Sequence, residues 1–147
     1  HYPLRRQRQM CIRDRSLVVK NKKILLCRRA IEPSYGKWTF PYGYLDASET
    51  PEEGAIREAK EEVNIKIKLK KLFIIFTVRK KNLIQFVFLA DHVNKTYKPG
   101  IETLEAKYFS FEEIPWKHLA FPSVAYAIKK YKKLPKNLPI FHTFGKD

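Results

Sequence analysis

Apolar positions recur along this chain in short runs, and the runs differ in period. Leu17-Val18-Val19 and Ile24-Leu25-Leu26-Cys27 lie on either side of Lys20-Asn21-Lys22-Lys23, which predicts a β-hairpin. Pro33, Ser34 and Gly36 make the next stretch a loop, and Trp38-Thr39-Phe40 reads as a short strand stopped by Pro41. A helix is predicted from Pro51. Beyond it Ile65, Ile67 and Leu69 alternate as in a strand with one buried face, and residues 72–78 and 83–90 read as two further strands. Residues 91–100 form a polar connection. A last strand is expected at 106–109, a short helical turn at 111–118 and a terminal helix at 123–131. Strands and helices interleave without a regular βαβ repeat, so the expected class is α+β in a single domain. The tail, residues 135–147, contains Pro139 and mixed polarity, and the pattern assigns it no element.

The helix from Pro51 is the best specified of these. Thr50 with Glu53 three residues on is a capping box, and Pro51 takes the first helical position, where a missing N–H costs nothing. Asn64 tolerates the left-handed conformation that ends a helix, so about thirteen residues are expected between the two. On a helical wheel Ala55, Ile56, Ala59 and Val63 form the apolar face, and Glu58, Glu61 and Glu62 occupy the adjoining sector. Carboxylates three and four residues apart repel one another, by about 0.2–0.5 kcal/mol per pair on an exposed helix, and a cation reverses the sign. Glu62 borders the apolar stripe, where loss of water sharpens the repulsion.

Composition narrows the class. The chain has 147 residues, 44% of them hydrophobic and 31% charged, which suits one folded domain and excludes disorder. No apolar run approaches the roughly 18 residues of a membrane span. Two cysteines, Cys11 and Cys27, make no disulfide framework and no C-x-x-C pair, so a cytoplasmic location is expected. Five glycines yield no dinucleotide fingerprint and no Walker loop, and there is no G-x-S-x-G elbow. The formal charge is +15, and five of the nine arginines crowd the first fifteen residues, which carry +4 of it. Lysine clusters at 66–71, 80–81 and 129–133 raise nucleic-acid binding as an alternative function, although a solvated lysine-rich surface accounts for them better, because no recognised nucleic-acid motif accompanies them.

The segment Met10-Cys11-Ile12-Arg13-Asp14-Arg15-Ser16 resembles a translated sequencing adapter. Residues 1–16 are accordingly expected to be non-native or disordered, with the folded domain spanning 17–134.

From Gly43 to Ile65 the chain resembles the Nudix box, Gly-x5-Glu-x7-Arg-Glu-U-x-Glu-Glu-x-Gly-U, with U bulky and apolar. Gly43, Glu49, Arg57, Glu58, Glu61, Glu62 and Ile65 match at the right spacing. Asn64 stands in place of the last glycine, Ala59 is a small U, and Tyr42 precedes the box where relatives carry a small residue. The resemblance implies an α/β/α sandwich around a mixed sheet. It also implies hydrolysis of a nucleoside diphosphate linked to another moiety, with Mg²⁺, or Mn²⁺ in its place, held on the box helix. Carried over, Glu58 and Glu62 are the expected principal metal ligands, with Glu61 assisting and Arg57 paired to Glu49. A general base is expected from a later loop, where Glu102 and Glu105 are the candidates.

Further likeness lies in Leu25–Pro33, Gly36–Thr39, Pro99–Glu102, Glu113–Trp116 and Leu119–Phe121. These are similar to a subgroup of bacterial zinc-ribbon Nudix proteins and plant chloroplast FAD/ADP-ribose pyrophosphatases; no zinc ribbon is present in this chain. The subgroup implies ADP-ribose or FAD as substrate and AMP as product, with Arg28, Arg29, Tyr35 and Trp38 available to phosphates or a base, core packing being favoured for Trp38, and a homodimer possible. A nucleoside triphosphate-cleaning enzyme and a nucleotide-sensing module are the other readings.

Overall fold

The computed structural model describes residues 11–94 and 96–145. Its elements in chain order are β1 (Cys11–Lys20), β2 (Lys23–Arg29), β3 (Trp38–Thr39), β4 (Tyr42–Tyr44), α1 (Pro51–Val63), β5 (Ile67–Val78), β6 (Leu83–His92), β7 (Thr103–Phe109), α2 (Pro122–Lys133) and β8 (Ile140–Phe144). Two 3₁₀ turns, Phe111–Glu113 and Trp116–His118, separate β7 from α2. The strands form one mixed sheet in the order β3-β2-β1-β6-β5-β8, with β4 paired to β1 and β7 to β2. The pairs β1–β6 and β5–β8 are parallel and the rest antiparallel.

The apolar runs are continuous because β1 and β2 bury both faces. Leu17 and Leu26 join a cluster with Phe73, Phe76, Val87 and, from α2, Val124, Ala127 and Ile128. Val18, Leu25 and Cys27 join Ala59 and Val63 of α1 on the opposite face. The result is the expected α/β/α layering of an α+β domain. None of its helices is long and apolar enough, among the described residues, to cross a membrane.

Three sequence expectations change, and one strand is absent from the sequence pattern. Residues 11–16 are not disordered: they are the first half of β1, parallel to β6 from Cys11↔Leu83 onward, so Leu17 is no boundary of the fold. Residues 1–10 lie outside the described residues. The strands expected around Ile67 and at 72–78 are one strand, β5, whose alternation is broken by register shifts at Leu69/Lys71 and Leu72/Ile74. The strand at Trp38 stops short of Pro41 as expected, but the pattern misses β4, which follows the proline and pairs with β1. The tail is not outside the domain either: β8 pairs with β5, and Ile140 and Phe144 pack on the larger core.

Candidate active site

The site begins with the way α1 is held at each end. The Thr50 side chain accepts the Glu53 N–H at 3.2 Å, and the Glu53 carboxylate accepts the Thr50 N–H at 2.9 Å. The helix runs the expected thirteen residues and stops at Asn64, φ 54°, whose N–H reaches the carbonyls of Ala59 and Lys60. Ala55, Ala59 and Val63 are buried, Glu58 is only 8% exposed at the margin of that face, and Glu61 is exposed.

Arg57 organises the acidic sector. Its Nε and Nη2 donate to the two carboxylate oxygens of Glu49 at 2.7 and 2.9 Å, and Nη2 also reaches the Tyr44 carbonyl at 3.1 Å. Its Nη1 donates to Glu58 Oε1 at 2.6 Å and to Glu61 Oε2 at 3.2 Å. The planar fork of one guanidinium thus fixes three carboxylates. The bond from Arg57 holds the Glu49 carboxyl below its ordinary range. Burial pushes Glu58 up to about 7, with Glu61 and Glu62 adding to the rise and Arg57 opposing it. Burial also raises Glu62, against the hydrogen bond that Thr103 Oγ1 donates to its Oε2 at 2.9 Å. Gly43 lets the backbone of β4 lie directly on Glu58, since a Cβ there would overlap its carboxylate.

These side chains border a cleft of about 620 Å³. Glu58, Glu61, Glu62 and Glu102 line its acidic side; Arg28, Arg29 and Tyr42 also line it, and the exposed Ile31, Tyr44 and Ile101 complete it. Arg29 is fixed by bonds from Nε to the Pro33 carbonyl at 2.8 Å and from Nη1 to the Tyr42 hydroxyl. The guanidinium groups of Arg13, Arg15 and Arg29 lie 4.8, 5.2 and 5.4 Å from the Tyr42 ring centroid. Cation–π attraction thus gives the unusual Tyr42 a packing role beside Arg29.

Sequence reasoning located Glu49, Arg57, Glu58, Glu61 and Glu62, and the fold brings them together. It also brings Glu102, Arg28 and Arg29 to the cleft. Glu105 does not line it: this residue faces Arg28 across the β2–β7 pair, 3.9 Å from Nη1. Tyr35 is exposed away from the cleft, and Trp38 packs edge-on against Phe109 with centroids 4.9 Å apart. The sequence reading missed Tyr44, Ile101 and Thr103. Only the position of Thr103 beside Glu102 pointed toward it.

The donor set is all carboxylate oxygen, which selects hard cations. Among the described residues no three acidic, histidine or cysteine side chains form a ready metal cage. Two carboxylates facing a cleft suit Mg²⁺, which keeps waters and takes substrate phosphate oxygens as its remaining ligands.

Comparison with known proteins agrees with this arrangement. The NUDIX domain family model matches residues 12–131. An ADP-ribose pyrophosphatase of Methanocaldococcus jannaschii is 31% identical over 103 residues, 67% of this chain and 61% of that protein. The match thus spans about three fifths of that relative's length. A NUDIX hydrolase structure from Nitrosomonas europaea superposes with TM-score 0.86 at 29% identity, covering 92% of this chain and 79% of the other. An ADP-ribose pyrophosphatase structure from Streptococcus suis shares the fold at TM-score 0.72 and 16% identity, covering 92% and 100%. With a family match over most of its length, the chain belongs to the NUDIX domain family.

Proposed function

We propose that this chain hydrolyses the diphosphate linkage of a nucleoside diphosphate derivative, ADP-ribose or FAD, releasing AMP. The observation that carries the reading is the pair of carboxylates, Glu58 buried and Glu62 half-buried, bordering one cleft together with Arg29. Glu58 and Glu62 would hold Mg²⁺, with Glu61 in support. When bound, the ion offsets diphosphate charge and lowers the pKa of the attacking water. The chain's own groups do the rest. Arg28 and Arg29 balance the phosphate charge that the cation leaves. Arg57 and Glu49 hold Glu58 in its rotamer. Glu102, which lines the cleft, accepts the water proton as its oxygen bonds to phosphorus and the bridging P–O bond breaks. Ile31, Tyr44 and Ile101 offer apolar and aromatic surface for the nucleoside.

ADP-ribose as substrate is supported by the name of the Methanocaldococcus jannaschii relative; FAD rests on the subgroup resemblance alone. The same reading includes a cytoplasmic, small-molecule enzyme. Parallel assays with ADP-ribose, FAD and a nucleoside triphosphate test it. Turnover is expected with one of the first two. Preference for the triphosphate would replace this substrate class by the triphosphate-cleaning one.

A further inference from the structure

We propose that Thr103, the first residue of β7, is a positioning residue for Glu62 and that the loop leading into it straps the metal-binding carboxylate to the end of α1. The inference rests on the reading of Glu62 as a cation ligand. Three hydrogen bonds fasten this loop to the last turn of the helix. Lys98 N–H donates to the Val63 carbonyl at 2.8 Å, and Gly100 N–H donates to the Glu62 carbonyl at 2.7 Å. The Asn64 side-chain amide donates to the Lys98 carbonyl at 2.9 Å. Helix ends leave carbonyls without intrahelical partners, and here the loop supplies them. Asn64 therefore does what glycine at that position cannot: it takes the left-handed turn and also holds the loop. Gly100 permits the approach, because a Cβ there would overlap the Glu61 carbonyl.

At the end of this anchored loop Thr103 donates its hydroxyl proton to Glu62 Oε2 at 2.9 Å. Thr103 is buried, and its N–H is bonded to the Gly100 carbonyl at 3.2 Å, so the hydroxyl is fixed in place. Glu62 is consequently held at two points by one loop, its carbonyl by Gly100 and its carboxylate by Thr103. A glutamate left to itself samples several rotamers, and ordering it costs free energy at the moment of cation binding. Thr103 removes that cost beforehand and leaves Oε1 without a protein hydrogen bond among the described residues. Its neighbour Glu102 is set by the same strap, so the relation between base and metal-binding carboxylate is built into the loop.

The test is Mn²⁺ binding by calorimetry without substrate, on the full chain, for the parent, Thr103→Val, Thr103→Ser, Glu62→Gln and the Thr103→Val/Glu62→Gln pair. Hydrogen-bond partners of metal ligands are worth about 10–100-fold in affinity, so Thr103→Val should weaken binding about tenfold. Thr103→Ser, which keeps the hydroxyl, should stay within about twofold of the parent. The paired variant should bind no more weakly than Glu62→Gln alone, because Thr103 acts through Glu62. Parent-like binding by Thr103→Val, with binding lost in Glu62→Gln, overturns the positioning role and leaves the metal site standing. Parent-like binding by Glu62→Gln overturns the metal site itself. Losses that add in the paired variant, or a fall in melting temperature and affinity shared by Thr103→Ser, mark a general structural effect and also overturn the proposal.

Discussion

Gly43 and Asp14 meet α1 with opposite consequences. At Gly43 the backbone lies against the Glu58 carboxylate, and any side chain would push that carboxylate aside. Gly43→Ala should keep the fold and lose cation affinity about tenfold or more, as displaced metal-site partners do, read by Mn²⁺ titration alongside circular dichroism. Asp14 is fully buried beside Gly54, and neither carboxylate oxygen has a hydrogen-bond partner among the described residues. Burial, with Glu49, Glu58 and Glu52 nearby and Arg57 opposing them, pushes its carboxyl from the ordinary 3.8 to about 7. An acid whose folded pKa is raised favours folding below its unfolded value and loses that contribution as pH rises through the folded one. Asp14→Asn should therefore melt higher than the parent at pH 8. The advantage should shrink between pH 7 and about pH 4 and vanish below it, with a ceiling of about 4 kcal/mol. Equal melting temperatures at pH 8 would contradict the burial of a strained carboxyl.

The same two residues show what was legible one position at a time. Helical spacing placed Glu58, Glu61 and Glu62 in one sector, and the resemblance to the box singled out Gly43, Glu49 and Arg57 beside them. Thr103 and Tyr44 were illegible, since their approach depends on strands and loops meeting α1 from elsewhere in the chain. Trp38 packs edge-on against Phe109 at the larger core, the place favoured for it over the cleft.

Among the elements, α1 followed its sequence most closely. Its capping box, its first-position proline and its left-handed Asn64 are local devices, and each is present in the structure. Thr50→Ala should cost about 1 kcal/mol in urea unfolding, with no change in the slope that reports exposed surface. The strands were less legible where local pattern and long-range pairing disagree. β1 begins with Arg13, Asp14 and Arg15, charged residues that predict anything but a buried central strand, yet all three are buried beside β6. β5 lost its period to two register shifts, and so read as separate strands. β8 follows a proline and carries mixed polarity. Its place comes from parallel pairing with β5, more than sixty residues earlier in the chain.

At the scale of the molecule, the sheet places β2 and the loop before β7 alongside the acidic face of α1, and the cleft between them joins Arg29 to Glu58 and Glu62. The family and layering could be read from the box; the composition of the cleft could not, because its lining comes from β2, β4, α1 and the loop after residue 99. The lysine clusters raise the charge of the surface without lining the cleft. Under the proposed function, Glu58 and Glu62 facing Arg29 bind a cation and a diphosphate together.

The most direct test of that reading is AMP release from ADP-ribose with and without Mg²⁺, comparing the parent chain with Glu62→Gln. The parent should turn over only with the cation, and Glu62→Gln should lose nearly all of that activity while melting at or near the parent temperature. Hydrolysis without Mg²⁺, or undiminished hydrolysis in Glu62→Gln, would contradict it.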